Sequence, residues 1–452
     1  MGNKKKNITI LVITLLTVGI FFAVYNNISS KPKATFTFNN VSENNIVSYP
    51  DTKFAVISDI HYYDNSLGTT GSAFEATLAS DRKLLTDSAD ILNYAVNQIL
   101  QKNVEFVLVS GDLTKDGELI NHQKVSEAFS KLTDRGIKVY VVPGNHDINN
   151  PQSFKYEGDN TELVPSIDAD KFAEIYKNCG YGNAIYRDSN SLSYVAEAKD
   201  NLWIVGIDTC KYQENKPGKE ETVSGRISQS EEEWLNNVLE EASKKNKAVI
   251  VLEHHGIVEH WNGQSKLHPD YLVEDYKDVG KMLSSYNVKL AFTGHYHAQD
   301  ITLGDFGNDG FLYDIETGSL VTAPSPIRYA EIKDNKISIN SNFIIDKIHP
   351  GTSFADDATK FVQNTLKSEA YKTLKKYKVN DNDADKIADY VATAFYAHYS
   401  GDENINNKPD FNTNNLSLWS RFIYSREKYV VDGLWNDLPP NDNDVTLDLS
   451  KK

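Results

Sequence analysis

Five short apolar runs in this chain each end in a block of residues that bind metals, and no other feature restricts the fold as strongly. Run 54–58 leads into Asp59-Ile60-His61, run 106–110 into Gly111-Asp112, and run 139–142 into Pro143-Gly144-Asn145-His146-Asp147. Run 248–252 leads into Glu253-His254-His255, and run 290–293 into Gly294-His295-Tyr296-His297. Several runs are rich in Val and Ile with little polar alternation, the pattern of strands covered on both faces. Helical stretches at 84–101, 123–134 and 228–242 fall between runs, giving a βαβ rhythm. In an α/β sheet the carboxyl ends of strands line the ligand crevice, so five such ends can deliver their side chains to one point. A sixth run, 202–207, ends in Asp208, which no partner ligand flanks and which reads as a loop hydrogen-bonding group.

Carboxylate, carboxamide and imidazole donors together suit borderline divalent ions such as Mn²⁺, Fe²⁺ or Zn²⁺. Asp59, His61, Asp112, Asn145, His254, His295 and His297 are too many for one such ion. They fit two ions sharing a carboxylate, with Asp112 the natural bridge. The His254-His255 pair leaves open which imidazole ligates. Gly111, Gly144 and Gly294 each precede a ligand, where the backbone must turn or approach closely. Asp147 reads as an acceptor that positions its own loop. Asp116 and Glu118 read as solvated turn charges, and His349 and His398 as incidental. His260, Trp261 and His268 share a long loop that could wall a substrate pocket.

The net charge of −16, from 47 Lys+Arg against 63 Asp+Glu, lacks the basic footprint of a nucleic-acid polymer binder. A phosphate-bearing substrate must then be attracted locally, and bound cations can reverse the field inside a cleft. With only Cys179 and Cys210, a four-cysteine zinc site is excluded, while one disulfide or two free thiols both remain open.

Lys4, Lys5 and Lys6 precede an uncharged apolar run at 8–25, the lower limit of a membrane span. The expectation is a signal anchor over residues 1–25, single-pass, with the lysines cytoplasmic and the catalytic domain extracytoplasmic. Secretion after signal cleavage is the alternative. Residues 26–50 read as a polar tether, 51–346 as the catalytic domain, and 347–452 as a small α-helical domain with helices near 354–376, 383–397 and 415–430. Alternating segments at 310–315, 328–332 and 336–345 suggest an antiparallel second sheet.

Taken in order, Asp-x-His, Gly-Asp, Gly-Asn-His-Asp, His-His and Gly-His-x-His resemble the calcineurin-like metallophosphoesterases over roughly residues 53–345. More narrowly, residues 111–118, Glu316-Thr317-Gly318-Ser319 and residues 438–443 look like a bacterial exported branch similar to cyclic-nucleotide phosphodiesterases, which carries a C-terminal helical domain. The resemblance implies an α/β fold of two sheets flanked by helices, αββα, with that helical domain added. It implies one metal on Asp59, His61, Asp112 and His297, a second on Asp112, Asn145, His254 and His295, and a metal-bridging hydroxide as nucleophile. His146 would be the catalytic group facing the leaving oxygen, and His254 the ligand of its pair. His122 and His255 are candidate substrate contacts. Leu113-Thr114-Lys115 replaces the Arg that protein phosphatases of this superfamily carry, which disfavours a protein substrate. The function implied is hydrolysis of a small-molecule phosphodiester. A broad phosphomonoesterase and a non-catalytic metal-binding module at the cell surface are the rivals.

Overall fold

In a computed structural model the described residues are 47–450; the anchor expected at 1–25 and most of the tether lie outside them. Among the described residues no helix is long and apolar enough to cross a membrane.

Strands β1 (Thr52–Ile57), β2 (Phe106–Val109), β3 (Lys138–Val141), β4 (Phe154–Glu157), β5 (Asn160–Leu163), β6 (Tyr186–Arg187), β7 (Tyr194–Lys199) and β8 (Leu202–Gly206) come first. Then follow β9 (Ala248–Leu252), β10 (Leu290–Thr293), β11 (Asp300–Asp305), β12 (Phe311–Glu316), β13 (Pro326–Lys333), β14 (Lys336–Phe343) and β15 (Asp444–Asp448). One six-stranded sheet runs β15-β14-β13-β1-β2-β3 and one seven-stranded sheet runs β11-β12-β10-β9-β8-β7-β6, while β4 and β5 form a separate hairpin. β1, β2 and β3 are mutually parallel, as are β8, β9, β10 and β12. Because each parallel set runs one way, the blocks after β1, β2, β3, β9 and β10 emerge at strand carboxyl ends, where a crevice is expected.

The two sheets share a core in which Phe54, Val56, Phe106, Leu108, Ile204, Ile250 and Phe292 are all fully buried. Phe54 stacks on Phe106 at 4.7 Å and meets Phe292 edge-on at 5.4 Å, so side chains of both sheets interlock directly behind the strand ends. Helix Ser88–Leu100 buries Ile91, Leu92, Ala95, Val96 and Ile99, a helical-period stripe against this core. Ser228 caps helix Gln229–Lys244 by accepting from the Glu231 N–H, as its sequence suggests.

The late strands differ from the expected separate sheet. β13 pairs antiparallel with β1, and β12 pairs parallel with β10, so they extend the two existing sheets. Hydrophobic alternation reports that a strand has one solvated face, but not which edge it joins. Helices Phe354–Lys376, Asp381–Ser400 and Leu418–Leu434 build a second core, to which Trp261 and Tyr296 contribute from the loops after β9 and β10. Beyond these helices the chain returns as β15 and pairs antiparallel with β14. All described residues fall in one compact unit. Cys179 and Cys210 are both buried free thiols.

Candidate metal centre

Asp59 and His61 follow β1, Asp112 follows β2, Asn145 follows β3, His254 follows β9, and His295 and His297 follow β10. All seven side chains meet. Donor atoms of Asp59, His61 and His297 cluster within 4.8 Å of one another, as do those of Asp112, His254 and His295. Asp112 lies between the two groups: its Oδ2 is 3.5 Å from His61 Nε2 and 3.4 Å from His254 Nε2. Asn145 Oδ1 is 3.1 Å from His254 Nε2. His297 Nε2 is 3.1 Å from His61 Nε2 and 3.4 Å from Asp59 Oδ1.

The local backbone shows why the sequence turns this way. Asp59, His61, Asp112, His295 and His297 all have φ between 39° and 74°, a left-handed region that side chains other than glycine seldom adopt. Such strain persists only where surrounding structure enforces it, and it concentrates at functional sites. Here the enforcement is a set of backbone hydrogen bonds: Asp59 N–H to Gly111, His61 N–H to Asp112, and His295 N–H to the Asp59 carboxylate at 3.0 Å. Gly144 and Gly294 allow the close approach, since a Cβ at either would collide with Asp112 or with Ser58 and Asp59.

The donor set fits divalent cations. His254 Nδ1 donates to the Ser110 carbonyl at 2.7 Å, which leaves Nε2 without a proton in the neutral ring and pointed at Asp112. Burial holds His61 and His295 well below the usual imidazole range, with Lys83 adding to the effect at His61, so both offer lone pairs. His295 Nε2 is buried with no hydrogen-bond partner, and two imidazole nitrogens 3.1 Å apart at His61 and His297 have a carboxylate but no protein cation between them. The Asp112 carboxyl lies well below its usual range: burial opposes this, but His254, His146 and His61 outweigh it.

A family model for calcineurin-like phosphoesterases matches residues 52–299, more than half of the chain. The chain belongs to this family. Within it, the chain is 23% identical over 318 residues to a manganese-dependent ADP-ribose/CDP-alcohol diphosphatase of Arabidopsis thaliana, covering 64% of this chain and 94% of that protein. Among solved structures, a dimetal phosphatase from Danio rerio matches with a TM-score of 0.44 at 17% identity, over 65% of this chain and 96% of that one. An NAD nucleotidase of Haemophilus influenzae matches with a TM-score of 0.34 at 13% identity, over 71% and 56%. Members of the calcineurin-like phosphoesterase family are phosphoester hydrolases that use divalent metals, which agrees with the His/Asp clusters above.

His146 sits beside the cluster, its ring edge-on to His61 at 4.9 Å. Its Nδ1 donates to Asp116 Oδ1 at 2.8 Å, and its Nε2 is 3.8 Å from Glu221 Oε1. Burial and Lys83 disfavour its charged form, but Asp112, Asp116 and Glu221 outweigh them and raise its pKa to about 9. A bound cation would pull that value back down. Asp116 is therefore a working part of the site and not a solvated turn charge: it is buried, pairs with Lys115, and fixes the His146 ring. The turn sequence gave no hint of this, because the contact spans Asp116 to His146 across two loops. Lys83 is a second residue that sequence reasoning missed. It is buried beside the cluster with its ion-pair partner Asp81 3.6 Å away.

Asp147 acts as expected, accepting from the backbone N–H groups of Leu113, Thr114 and Gly144. So does Asp208, which accepts from Leu192, Cys210 and Tyr212. His122 and His255 need correction as substrate contacts. Both are fully buried, and each has its ring nitrogens engaged by protein: His122 by Tyr176 and the Asp147 carbonyl, His255 by Thr209 and the Val223 carbonyl. Both rings are thus closed off by protein in this structure.

His260 and His398 also differ from expectation. They lie fully buried with Asp300, Asp314, Glu316 and Glu403 where the helical region meets β11 and β12. His260 Nδ1 is 2.7 Å from Asp300 Oδ1, and its Nε2 is 3.4 Å from both Asp314 and Glu316. His398 Nδ1 is 2.5 Å from Glu403 Oε1. Asp300, His398 and Glu403 bring donor atoms as near one another as those of the candidate metal centre.

Proposed function

We propose that this protein is a two-metal phosphodiesterase acting on a small-molecule substrate on the outer side of the membrane, with Mn²⁺ the best-fitting ion. One observation carries the reading: six oxygen- and nitrogen-bearing side chains from five strand ends gather around Asp112, with His146 held beside them by Asp116. Asp59, His61, Asp112 and His297 would hold one ion, and Asp112, Asn145, His254 and His295 the other. When bound, the ion pair supplies Lewis-acid stabilisation of charge on phosphoryl oxygens and an activated water. The protein's own contribution is orientation and proton transfer. Ser110 fixes the His254 tautomer, and the left-handed turns aim Asp59, His61, Asp112, His295 and His297 inward. Asp116 holds the His146 ring through Nδ1, so a proton on Nε2 can pass to the leaving oxygen as its bond to phosphorus breaks. Manganese is favoured by the manganese-dependent relative as well as by the mixed carboxylate and imidazole donors.

A second reading follows from the name of the Arabidopsis relative: cleavage of a diphosphate linkage between two substituted phosphates. The same geometry serves either bond. The full chain loaded with Mn²⁺ should hydrolyse bis(4-nitrophenyl) phosphate faster than 4-nitrophenyl phosphate. A monoester preference would overturn the diester assignment, and ADP-ribose as the better substrate would select the second reading. Turnover that survives Asp112→Ala would remove the two-metal mechanism altogether.

A further inference from the structure

The C-terminal helices line much of an open cavity of about 430 Å³. Its walls are chiefly aliphatic and aromatic: Leu366, Leu374, Val391, Phe395, Ile423 and Val431 come from all three helices. The catalytic body contributes Arg82 and Tyr271 to its lining. A chain of ring contacts runs from this cavity to the candidate metal centre. The Tyr271 ring lies 4.5 Å from that of His295 and 5.0 Å from that of Tyr296; Tyr296 contacts His268 at 5.6 Å, and His268 contacts Phe395 inside the helical region at 6.2 Å. Arg82, whose neighbour Lys83 is buried, also lines the cavity.

Of the polar groups in the lining, Arg82 Nη1 is paired with Glu369 Oε2 at 2.6 Å, while Arg82 Nε and Tyr296 Oη are buried without a hydrogen-bond partner. The wall made by Leu366, Leu374, Val391, Phe395, Ile423 and Val431 offers no hydrogen-bonding group to a nucleobase edge, whereas a hydrocarbon needs none. If a methylene takes roughly the 30 Å³ that one water occupies, there is room for about a dozen carbons. The helix Leu418–Leu434, which gives Ile423 and Val431 to the cavity, also shows apolar side chains outward: Leu418 is 84%, Trp419 51% and Phe422 56% exposed. A helix apolar on both faces suits contact with a lipid aggregate from which such a chain is drawn.

We propose that this cavity receives the hydrocarbon chain of an amphiphilic phosphoester whose phosphate lies at the metal centre. The inference rests on the phosphodiesterase reading above and names its substrate class: a lipid-like diester rather than a free nucleotide. The helical region is then a specificity element, with Tyr271 and Tyr296 as the wall along which the chain leaves the phosphate.

The test uses the Mn²⁺-loaded full chain and 4-nitrophenyl alkyl phosphodiesters from methyl to dodecyl, kept below micelle formation. Each methylene that enters the cavity should raise kcat/KM about three- to fourfold, until the cavity is filled. Val391→Trp, which fills the cavity, should flatten the series while leaving the methyl diester rate unchanged; Ala370→Trp is the second variant should the first fail to fold. Independently of turnover, pyrene-dodecanoate should bind the metal-stripped wild type and not Val391→Trp. A flat series with the methyl diester well hydrolysed would overturn the inference, as would a slope that survives both variants. If no diester is hydrolysed, the phosphodiesterase reading fails instead, and pyrene-dodecanoate binding alone decides whether the cavity takes a chain.

Discussion

At the candidate metal centre, Asp59, His61, Asp112, His295 and His297 stand on left-handed backbone; at the junction with the helical region, His260, Asp300, Glu316, His398 and Glu403 do not. Both places gather carboxylates and imidazoles to similar separations. In the first, burial disfavours the charged forms of His61 and His295, while the carboxylates around His254 and His146, Asp112 foremost, outweigh burial and raise both to about 9. In the second, burial opposes charge on His260, but Asp300, Asp314 and Glu316 together raise its pKa well above the usual range. At both places a protonated imidazole can therefore offset buried carboxylates. The composition of a cluster does not tell the two apart; backbone strain does.

The sharpest way to break this contrast is at Asp112. Asp112→Ala should lower kcat on the order of ten-thousandfold, since residues that act as a unit fail together, and should leave the fold intact by circular dichroism. Equal loss from a junction variant with unchanged stability would abolish the distinction. His260→Ala should cost about 3–5 kcal/mol of unfolding free energy in denaturant titration, because it leaves buried carboxylates uncompensated, yet change kcat of the folded fraction little. His146→Ala should slow hydrolysis about a hundred- to a thousandfold for poor leaving groups and less for nitrophenolate, which needs no proton. A loss equal for both leaving groups would reduce His146 to an orienting role. Chelation should abolish activity and lower the melting temperature by the equivalent of about 3 kcal/mol when metal is present at a hundred times its dissociation constant. The junction should keep its pH response in the stripped protein.

That pH response is the smallest effect and has a definite sign. Burial raises the Glu316 pKa from 4.5 to about 8; the neighbouring His260 and His398 counter this, while Asp300 and Asp314 add to it. Between those two values the folded state holds a proton that the unfolded state has released, so stability should fall as pH rises through this window. Glu316→Gln should flatten that slope in thermal melts. A slope of opposite sign would show that the network is anionic at neutral pH and that His260 does not carry its charge alone.

What could be read in the sequence was local. Each ligand block follows its strand directly, so strand-end placement and the meeting of Asp59 with His297 followed from run-and-block order and the crevice rule. The Ser228 cap and the helix Phe354–Lys376 were legible for the same reason. What could not be read depended on pairing between distant segments. Asp116 gains its role only because the β3 loop brings His146 to it, and His398 only because the helical region docks against β11. The edge that β13 joins and the five-residue β15 carry no periodicity strong enough to announce them. His122 and His255 misled because an imidazole near a ligand block looks the same in sequence whether it faces substrate or a backbone carbonyl.

β15 has a consequence for how the protein is made. Its partner β14 is synthesised before all three C-terminal helices, and β15 after them. On the ribosome the growing sheet must therefore wait with an open edge while those helices are translated, and long-range pairing of this kind is slow and exposed to misassociation. A gene cut at the apparent domain border would leave that edge open for good, so the catalytic half should be harder to express alone than its tidy sequence suggests.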